Sequence, residues 1–296
     1  MAVEPDHWSR WLRERRDAGD ERQRTAILDM LGPVRERVLA SAEPLDGATL
    51  LDVGTGDGLI GLAALDRVGE HGTVIFSDIS DALLAHTHDA VAAAGSLDRA
   101  RFVSTQAEDL AEIAGGSVDV VTTRSVLIYV ADKAGAFDAM YRVLRPGGRI
   151  SLFEPINRLM FPEAADRFWG YDVSAVSELA DLVKRTYRAI SDPAAETMLD
   201  FDDRDLVRLA EAAGFSRIHL ECHIDVEVRA DMGAIDVETL LDSAPNPLAP
   251  TARESIDAAL SAAERDVFVD HLRRAIEAGD RLRRGAVAYL AASKPG

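Results

Sequence analysis

Residues 50–61 read Leu-Leu-Asp-Val-Gly-Thr-Gly-Asp-Gly-Leu-Ile-Gly, and this segment says most about the architecture of the 296-residue chain. The apolar run 49–53 predicts a buried strand, and the apolar spacing over 59–68 predicts a helix. Between them lie Gly54, Gly56 and Gly58. Glycine carries no Cβ and tolerates positive φ, so a strand, a glycine turn and a helix let a backbone approach a bound ligand closely.

The glycines fit two motif registers. Gly56, Gly58 and Gly61 satisfy GxGxxG, the dinucleotide fingerprint, but that motif begins where its strand ends and Gly56 comes three residues after Val53. Starting from Gly54 the pattern is GxGxG, with an acid two residues upstream, and D-x-G-x-G-x-G resembles motif I of the class I S-adenosylmethionine (SAM) methyltransferases. A SAM enzyme, a nicotinamide or flavin enzyme and a turn without a ligand all remain open from this segment alone.

Strands and helices alternate on both sides of the glycine segment. Beyond 49–53, strands are predicted at 73–77, 101–104, 118–122 and 149–153. Helices separate them, including a short one near 107–114. This spacing requires parallel pairing with right-handed crossovers, which gives a doubly wound sheet. With further strands at 215–228 and 285–293 the expected fold is α/β, a mostly parallel seven-stranded Rossmann-like sheet with helical cap insertions.

The expected organisation has six parts. Residues 1–42 form N-terminal helices, broken at Gly32-Pro33, that act as a lid. The others are the α/β core at 43–154, a helical cap insertion at 155–198, a core continuation at 199–230, a second helical cap insertion at 231–284 and a final core strand at 285–296.

Composition excludes several classes. Hydrophobic residues make up 47% of the chain, which disfavours disorder. The formal net charge of −18 disfavours a nucleic-acid partner, because phosphates are bound by cationic side chains. No apolar run reaches the ~18 residues that span a bilayer, and the N-terminus lacks a signal-peptide core. Cys222 is the only cysteine, so no internal disulfide forms. We therefore expect a cytoplasmic protein without a membrane or nucleic-acid partner.

The carboxyl ends of the strands are where an open α/β sheet binds ligands. Asp78 ends the second strand, about 20 residues after the glycines, where an acid accepts hydrogen bonds from both ribose hydroxyls. The alternative for Asp78 is a helix N-cap, which Ser80 fits better. Before the fifth strand stands Leu144-Arg-Pro-Gly-Gly148, a helix terminator that leads into a turn.

Over residues 45–155 the chain resembles the class I SAM-dependent methyltransferases, of the small-molecule group that includes ubiquinone-biosynthesis-like enzymes. The segment Phe76-Ser-Asp-Ile-Ser80 resembles the acidic motif II of that family, and Leu144–Gly148 resembles its signature before the fifth strand. The resemblance implies an enzyme that uses SAM, releases S-adenosylhomocysteine and needs no metal.

The same resemblance implies the residues that bind SAM. The loop from Gly54 to Gly58 packs against the methionine part, with Asp52 supporting it, while Asp78 binds the ribose and Ile79 lies on the adenine. Gln106 stands where the family usually has Asp, and its carbonyl accepts the adenine amino group more weakly than a carboxylate. The full set of expected cofactor-binding residues is Asp52, Gly54, Thr55, Gly56, Gly58, Asp78, Ile79, Gln106, Ala107, Glu108, Thr123 and Arg124.

Residues after strands 4 and 5 and in the cap are expected to face the methyl acceptor. The catalytic candidates are Glu154, Tyr129 and Arg124. Each has an alternative: a salt bridge for Glu154, a core position for Tyr129, and an ion pair of Arg124 with Glu154, an acidic substrate or Asp119. The candidates for substrate contact are Asn157, Trp169 and Tyr171, the last two with cap packing as the alternative. Trp8 and Trp11 either line the lid or pack between helices.

The acceptor is not identified by the sequence. A small, partly apolar metabolite methylated at O, N or C suits the capped architecture, with a protein or peptide methyltransferase and a non-catalytic SAM-binding protein as alternatives. A homodimer is compatible with the sequence. His219, Glu221, His223 and Asp225 alternate along a predicted strand, which indicates a solvated face or, less readily, a metal site.

Overall fold

The computed structural model of the protein describes residues 4–228, 236–279 and 281–296. The strands are β1 Thr49–Val53, β2 Thr73–Asp78, β3 Ala100–Ser104, β4 Val118–Arg124, β5 Leu144–Pro155, β6 Arg167–Phe168, β7 Tyr171–Asp172, β8 Ser216–Val228 and β9 Leu282–Ser293. Seven of them form one sheet in the order β3-β2-β1-β4-β5-β9-β8, and β6 and β7 form a separate hairpin. The first five strands pair in parallel, and β9 runs antiparallel to both β5 and β8. The predicted doubly wound, mostly parallel fold is confirmed.

Helices cover both faces of the sheet. Successive residues of a strand point to opposite faces, so Leu50 packs with the helices on one side and Leu51 with those on the other. The helices are α1 His7–Arg10, α2 Glu21–Ser41, α3 Leu59–Arg67, α4 Asp81–Ala93, α5 Lys133–Val143, α6 Ser177–Ile190, α7 Asp203–Ala212, α8 Val237–Asp242, α9 Ala252–Ala259 and α10 Ala262–Glu277, with a π-helical turn at Trp11–Arg15. The side of Leu50 holds α2, α3 and α4, and the side of Leu51 holds α5 and α7.

A third hydrophobic cluster lies apart from the two that flank the sheet. It joins residues between β5 and α7 to residues between β8 and β9, including Phe168, Val183, Leu241 and Phe268. The two predicted insertions therefore share a core. We call this helical layer the cap. The predicted boundary between the core continuation and the second insertion, at residues 230 and 231, lies outside the described residues.

The predicted break of the N-terminal helices at Gly32-Pro33 is wrong. The helix α2 runs through both residues, and Pro33 is exposed, so water can reach the carbonyl that proline leaves without a donor. The break falls instead at residues 16–20, where Ala18 and Gly19 have positive φ and the Asp20 side chain caps α2 by accepting from Gln23 N.

Two further predictions of local structure are wrong. Residues 107–114 form turns, not a helix, because the Arg142 guanidinium takes up the carbonyls of Asp109, Leu110 and Ile113. The segment 155–195 is less helical than predicted, since Trp169 and Gly170 both adopt positive φ and form the two-residue turn between β6 and β7. The strands β4 and β9 are also longer than predicted, reaching Arg124 and beginning at Leu282.

Candidate functional site

The carboxyl ends of β1, β2 and β4 meet at one edge of the sheet. Val53 pairs with Ser77 of β2 and with Thr123 of β4. The next residues of these three strands or of the loops that follow them are Gly54, Asp78 and Arg124. We call this region the ligand edge. Most of the residues predicted to bind SAM therefore converge on it.

The glycine loop needs glycine for two separate reasons. Gly54, Gly56 and Gly58 have φ of +63°, +58° and +84°, the region that residues with a Cβ rarely adopt. A Cβ on Gly54 would also lie 2.3 Å from a methyl carbon of Val126. The loop is thus shaped by both its own backbone and the segment after β4.

Asp52 holds the glycine loop from beneath. Its Oδ2 accepts from the Thr55 hydroxyl at 2.7 Å and from Gly61 N at 3.1 Å, and its Oδ1 accepts from the Thr122 hydroxyl at 2.9 Å. The side chain is buried, and burial raises its pKa to about 6 despite these donors. The resemblance implies that Asp52 supports the loop without touching the ligand directly, and these contacts match that expectation.

Gly61 lies where α3 packs on β2. A Cβ on Gly61 would lie 2.4 Å from the Phe76 ring and 3.2 Å from Asp52 Oδ2. Gly61 is therefore required by this packing, and because the third glycine of GxGxxG has the same packing role, Gly61 does not distinguish the two registers.

Asp78 faces the loop from the neighbouring strand. Its Oδ2 accepts from Gly56 N at 2.9 Å, and its Oδ1 accepts from Ser80 N at 2.9 Å. Ser80 caps α4 by accepting from Leu83 N at 3.1 Å, as the sequence favoured. Burial raises the pKa of Asp78. Each carboxylate oxygen keeps a lone pair that can accept a further hydrogen bond.

The other residues predicted for the adenosine lie beside Asp78. Thr105 N donates to the Asp78 carbonyl at 3.1 Å, which places the segment after β3 next to this strand end. Gln106 is exposed, while Ala107 and Glu108 are half-buried. Ile79 is 51% exposed, which is unusual for a large apolar side chain directly after a buried strand. These positions suit an aromatic ring, and their role stays a prediction.

Glu154 binds the segment that follows β4. Its Oε1 accepts from Val126 N and Leu127 N, both at 3.0 Å, and its Oε2 accepts from Ile128 N at 3.3 Å. The side chain is fully buried, and burial raises its pKa to about 7 although the three amides favour the carboxylate. Among the described residues, no cationic side chain lies within 4 Å of the Glu154 carboxylate. The contacts give it a positioning role, and its catalytic role stays a prediction.

Arg124 and Tyr129 flank the same segment. Asp119 pairs with Arg145 at 2.7 Å, and no ion pair joins it to Arg124 among the described residues, so that alternative for Arg124 is wrong. The Tyr129 ring is 5.0 Å from the ring of Trp8, edge to face, and burial raises the pKa of its phenol. Thr123, the residue before the end of β4, has a buried hydroxyl without a hydrogen-bond partner in the part of the chain that is described.

The sequence missed how closely residues 4–20, here called the N-terminal segment, approach the ligand edge. Leu12 is buried, and one of its methyl carbons would lie 3.4 Å from a Cβ on Gly56. Arg16 Nη2 is 3.8 Å from Asp57 of the glycine loop. The signal was present as Trp8, Trp11 and Leu12 at helical spacing, but the sequence does not say which surface that apolar face covers.

The three predicted substrate residues lie in two places, with Asn157 near the end of β5 and Trp169 and Tyr171 in the cap. Asn157 lies two residues after the end of β5, and its carbonyl accepts from Met160 N at 2.8 Å. Trp169 stacks on Phe168 at 5.6 Å, and Tyr171 is a buried member of the cap cluster. This packing agrees with the alternative of cap residues for both aromatics.

The histidines and acids that alternate over residues 219–225 of β8 form no metal site among the residues described. Glu221 forms an ion pair with Arg37 and approaches His219 and His223 at 3.3 and 3.6 Å, and no group there has the make-up of a metal site. In the same part of the chain no helix combines the length and apolar character needed to cross a membrane.

Comparison with known proteins agrees with this geometry. Residues 33–229 match the model of the ubiE/COQ5 methyltransferase family. Nocamycin O-methyltransferase of Saccharothrix syringae is 32% identical over 210 residues, which cover 69% of this chain and 71% of that protein. The ubiquinone/menaquinone biosynthesis C-methyltransferase UbiE of Idiomarina loihiensis is 28% identical over 172 residues, covering 58% of this chain and 68% of that protein.

Among solved structures, the YcgJ protein of Bacillus subtilis aligns with a TM-score of 0.53 and 17% identity, covering 88% of this chain and 98% of that one. At this identity the likeness concerns the fold alone.

Proposed function

This chain belongs to the ubiE/COQ5 methyltransferase family, and we propose that it transfers the methyl group of SAM in line to an oxygen, nitrogen or carbon atom of a small-molecule metabolite. The family match confirms the resemblance drawn from the glycine loop, the acid that ends β2 and the segment Leu144–Gly148. The chain is a SAM-dependent methyltransferase. The residues that serve each step and the identity of the acceptor are part of the proposal.

The observation that carries the proposal is the pairing of Asp78 with Gly56 across the ligand edge. An acid with free lone pairs lies 2.9 Å from the amide of a loop whose three glycines have positive φ and in which Gly54 has no room for a Cβ. A ribose with two hydroxyl donors and an amino-acid chain that needs close backbone approach both fit this donor and acceptor set. Exposed Ile79 offers an apolar surface for the adenine ring.

SAM supplies an electrophilic methyl group when it is bound. The task of the protein is to orient the two reactants and to exclude water, since in-line displacement needs aligned atoms more than it needs an acid or base. Trp8, Leu12 and Tyr129 form an apolar layer over the ligand edge that can exclude water. Glu154 fixes residues 126–128, which border both Gly54 and the proposed acceptor side.

A small, partly apolar acceptor is supported by the surface after β5. Leu159 and Phe161 are exposed there, and Leu199 is exposed on a segment that contacts the 157–159 turn. One relative is named for O-methylation of nocamycin and another for C-methylation in ubiquinone/menaquinone biosynthesis. We therefore propose a phenol, enol or comparably activated carbon of a partly apolar metabolite as the nucleophile.

Two measurements test the proposal. Calorimetric titration with S-adenosylhomocysteine should show one site in the wild type and a loss of affinity of at least about 100-fold in Asp78→Ala, about 2.7 kcal/mol. Asp81→Ala is the matched control, because Asp81 is exposed in the first turn of the adjacent helix. Methyl transfer from labelled SAM is then followed over a panel of phenols, enols and amines.

Wild-type affinity in Asp78→Ala would contradict the proposed ribose site. Tight cofactor binding with no transfer to any phenol, enol or amine, but with transfer to peptides, would overturn the assignment of the acceptor class.

A further inference from the structure

The strand β8 lies at one end of the seven-stranded sheet. Its neighbour is β9, and among the described residues no strand pairs with its other side. The strand is 13 residues long, Ser216–Val228, and it contains neither proline nor lysine, two residues that commonly protect an exposed edge. A long edge strand with free backbone N–H and C=O groups is a template on which another strand can pair.

The same strand exposes a row of apolar side chains. Ile224, Val226 and Val228 are 60%, 58% and 72% exposed. They share one face of the strand with Ile218 and Leu220, which pack against the core cluster beside α7. Large apolar residues that lie together on an exposed surface mark a site of interaction with another molecule.

The sequence of β8 is self-complementary about Cys222. Residues at equal distances on its two sides are either both apolar or an acid with a basic residue. These pairs are Glu221 with His223, Leu220 with Ile224, His219 with Asp225, Ile218 with Val226 and Arg217 with Glu227. The inner pairs carry the argument, because the register of β8 on β9 is regular only from His219 onward. In an antiparallel pair of β8 strands centred on Cys222, each residue lies opposite its counterpart in the second copy.

Other registers of this pairing are less favourable. A two-fold axis between antiparallel strands stands normal to the sheet and keeps each face of the strand on its own side, so the axis passes a residue position. Centring on Glu221 or on His223 places that residue opposite its own copy. Centring on Ile224 places Glu221 opposite Glu227, and both are acids. A centre at Cys222 avoids such pairs.

We propose that β8 pairs antiparallel with β8 of a second copy of this chain, around a two-fold axis at Cys222, so that the protein is a homodimer with one continuous sheet. The partner is a second copy because the charged and apolar residues of the strand complement themselves. The pairing places Ile224 and Val226 of each chain against Leu220 and Ile218 of the other, which covers most of the exposed apolar row.

The charged face of the strand gains contacts in the same arrangement. Within one chain Glu221 forms an ion pair with Arg37 and lies 3.3 and 3.6 Å from ring nitrogens of His219 and His223. Across the axis it receives His223 of the second copy as a further donor, while Asp225 receives His219. The acids and histidines that form no metal site thus have a role as the polar half of an interface.

The single cysteine supplies the first test. Opposite residues of an antiparallel pair have Cα atoms about 4.5–5.5 Å apart, within the roughly 4.4–6.8 Å that a disulfide spans. Cys222 is the only cysteine, so a disulfide formed with copper–phenanthroline as oxidant joins two chains at this residue. We expect a crosslinked dimer on non-reducing gels. Cys222→Ser should abolish the crosslink and keep the dimer.

Sedimentation velocity measures the dimer itself over about 1–100 μM protein, the range of a moderate interface. Each chain carries a net charge of −18, so the salt is held at about 0.15 M, where repulsion between exposed charges is screened beyond about 8 Å. The yield of the crosslink should follow the fraction of dimer as the protein is diluted.

A charge swap tests the register. His219→Asp places an acid opposite Asp225 of the second copy and should raise the dissociation constant at least about 10-fold, because the unfavourable pair occurs twice in a symmetric interface. Asp225→Lys should also weaken the dimer, since it removes the acid opposite His219. The double variant His219→Asp/Asp225→Lys restores opposite charges across the axis and should recover the dimer.

Asp89→Lys is the matched control, because it changes the net charge as Asp225→Lys does at an exposed position on α4, and it should dimerise like the wild type. Thermal unfolding of each variant checks that it remains folded. A wild type that stays monomeric to about 100 μM and forms no crosslink would overturn the proposal. A dimer that forms no disulfide, or that His219→Asp leaves intact, would place the interface elsewhere and overturn it too. Loss of the dimer in both single variants without recovery in the double variant would contradict the register at Cys222.

Discussion

The indole Nε1 of Trp11 donates a hydrogen bond of 2.9 Å to the carbonyl oxygen of Ala244, 233 residues further along the chain. The contact is reinforced by Ala244 N, which donates to the Arg15 carbonyl at 2.8 Å, and by Arg15 Nη2, which lies 2.9 and 2.7 Å from the two carboxylate oxygens of Glu254. The N-terminal segment is therefore hydrogen-bonded to the cap. Because the same segment places Leu12 over Gly56, it contacts both the cap and the ligand edge.

Trp11→Phe tests this connection. Phenylalanine keeps most of the apolar ring but lacks the N–H donor, so the Ala244 carbonyl loses its partner at a local cost of about 1 kcal/mol. We expect amide hydrogen exchange over residues 7–16 to accelerate about five-fold, while the sheet is unaffected. Arg13→Gln, an exposed change on the same segment, should exchange like the wild type. Identical exchange in Trp11→Phe and the wild type would show that the hydrogen bond does not hold the segment.

Gly61→Ala tests whether the packing of α3 on β2 requires glycine at this position. The added methyl group would lie 2.4 Å from the Phe76 ring, so α3 or the ring must shift. We expect a loss of about 1–3 kcal/mol in the free energy of unfolding, measured in urea, despite the better helix propensity of alanine.

Gly32→Ala is the matched control for that change. Gly32 lies inside α2, and a Cβ added there would meet nothing within 4 Å, so alanine should stabilise the protein by roughly 0.5–1 kcal/mol. Equal effects of the two substitutions would contradict the packing argument.

The parts of the site that the sequence could predict are local in the chain. The glycine loop, Asp78 and the Ser80 cap all lie within residues 54–80, where strand ends, turns and helix starts have short-range signatures. The parallel strand order follows from the same alternation, since long crossovers leave few other topologies. Local consistency of this kind is why the fold and the cofactor class were predicted.

The parts that the sequence could not predict depend on contacts between distant segments. That Glu154 accepts from the amides of residues 126–128 requires knowing how the β5 end faces the loop after β4. The turns at 107–114 depend on one guanidinium, from Arg142, replacing helical hydrogen bonds. Neither the contacts of Glu154 nor those of Arg142 produce a periodic pattern that can be recognised in a single sequence.

Lys133→Met tests how the segment before α7 is held against the loop after β4. The buried Lys133 Nζ lies 2.6 Å from Asp200 Oδ1 and donates to the carbonyls of Val130 and Thr197 at 2.9 and 3.2 Å. Methionine keeps an unbranched apolar side chain but leaves two carbonyls without a donor, so we expect urea unfolding to show a loss of about 1–3 kcal/mol. Asp200→Asn removes only the partly exposed partner and should cost less than about 1 kcal/mol. A larger loss in Asp200→Asn than in Lys133→Met would mean that the ion pair, not the carbonyl contacts, holds the segment.

Glu154→Gln tests the electrostatic cost of the buried acid. Burial raises the pKa of Glu154 from 4.5 to about 7, so the folded protein binds this proton more tightly than the unfolded chain does. The resulting stabilisation is complete below about pH 4.5 and is lost as the pH rises through about 7. Glutamine cannot titrate, and its carbonyl still accepts from the backbone. We expect the difference in unfolding free energy, wild type minus Glu154→Gln, to become less favourable to the wild type over this interval, as measured by urea titrations at several pH values.

Subtraction of the two proteins isolates Glu154, because Asp52, whose pKa burial raises to about 6, titrates in both and contributes in the same direction. A difference that stays flat between pH 4.5 and 7 would contradict a raised pKa for Glu154. A difference that grows in favour of the wild type as the pH rises would mean that the three amide donors outweigh burial and hold the carboxylate ionised. In that case Glu154 would position the loop as a permanent anion, and a role as a general base near neutral pH would have no support.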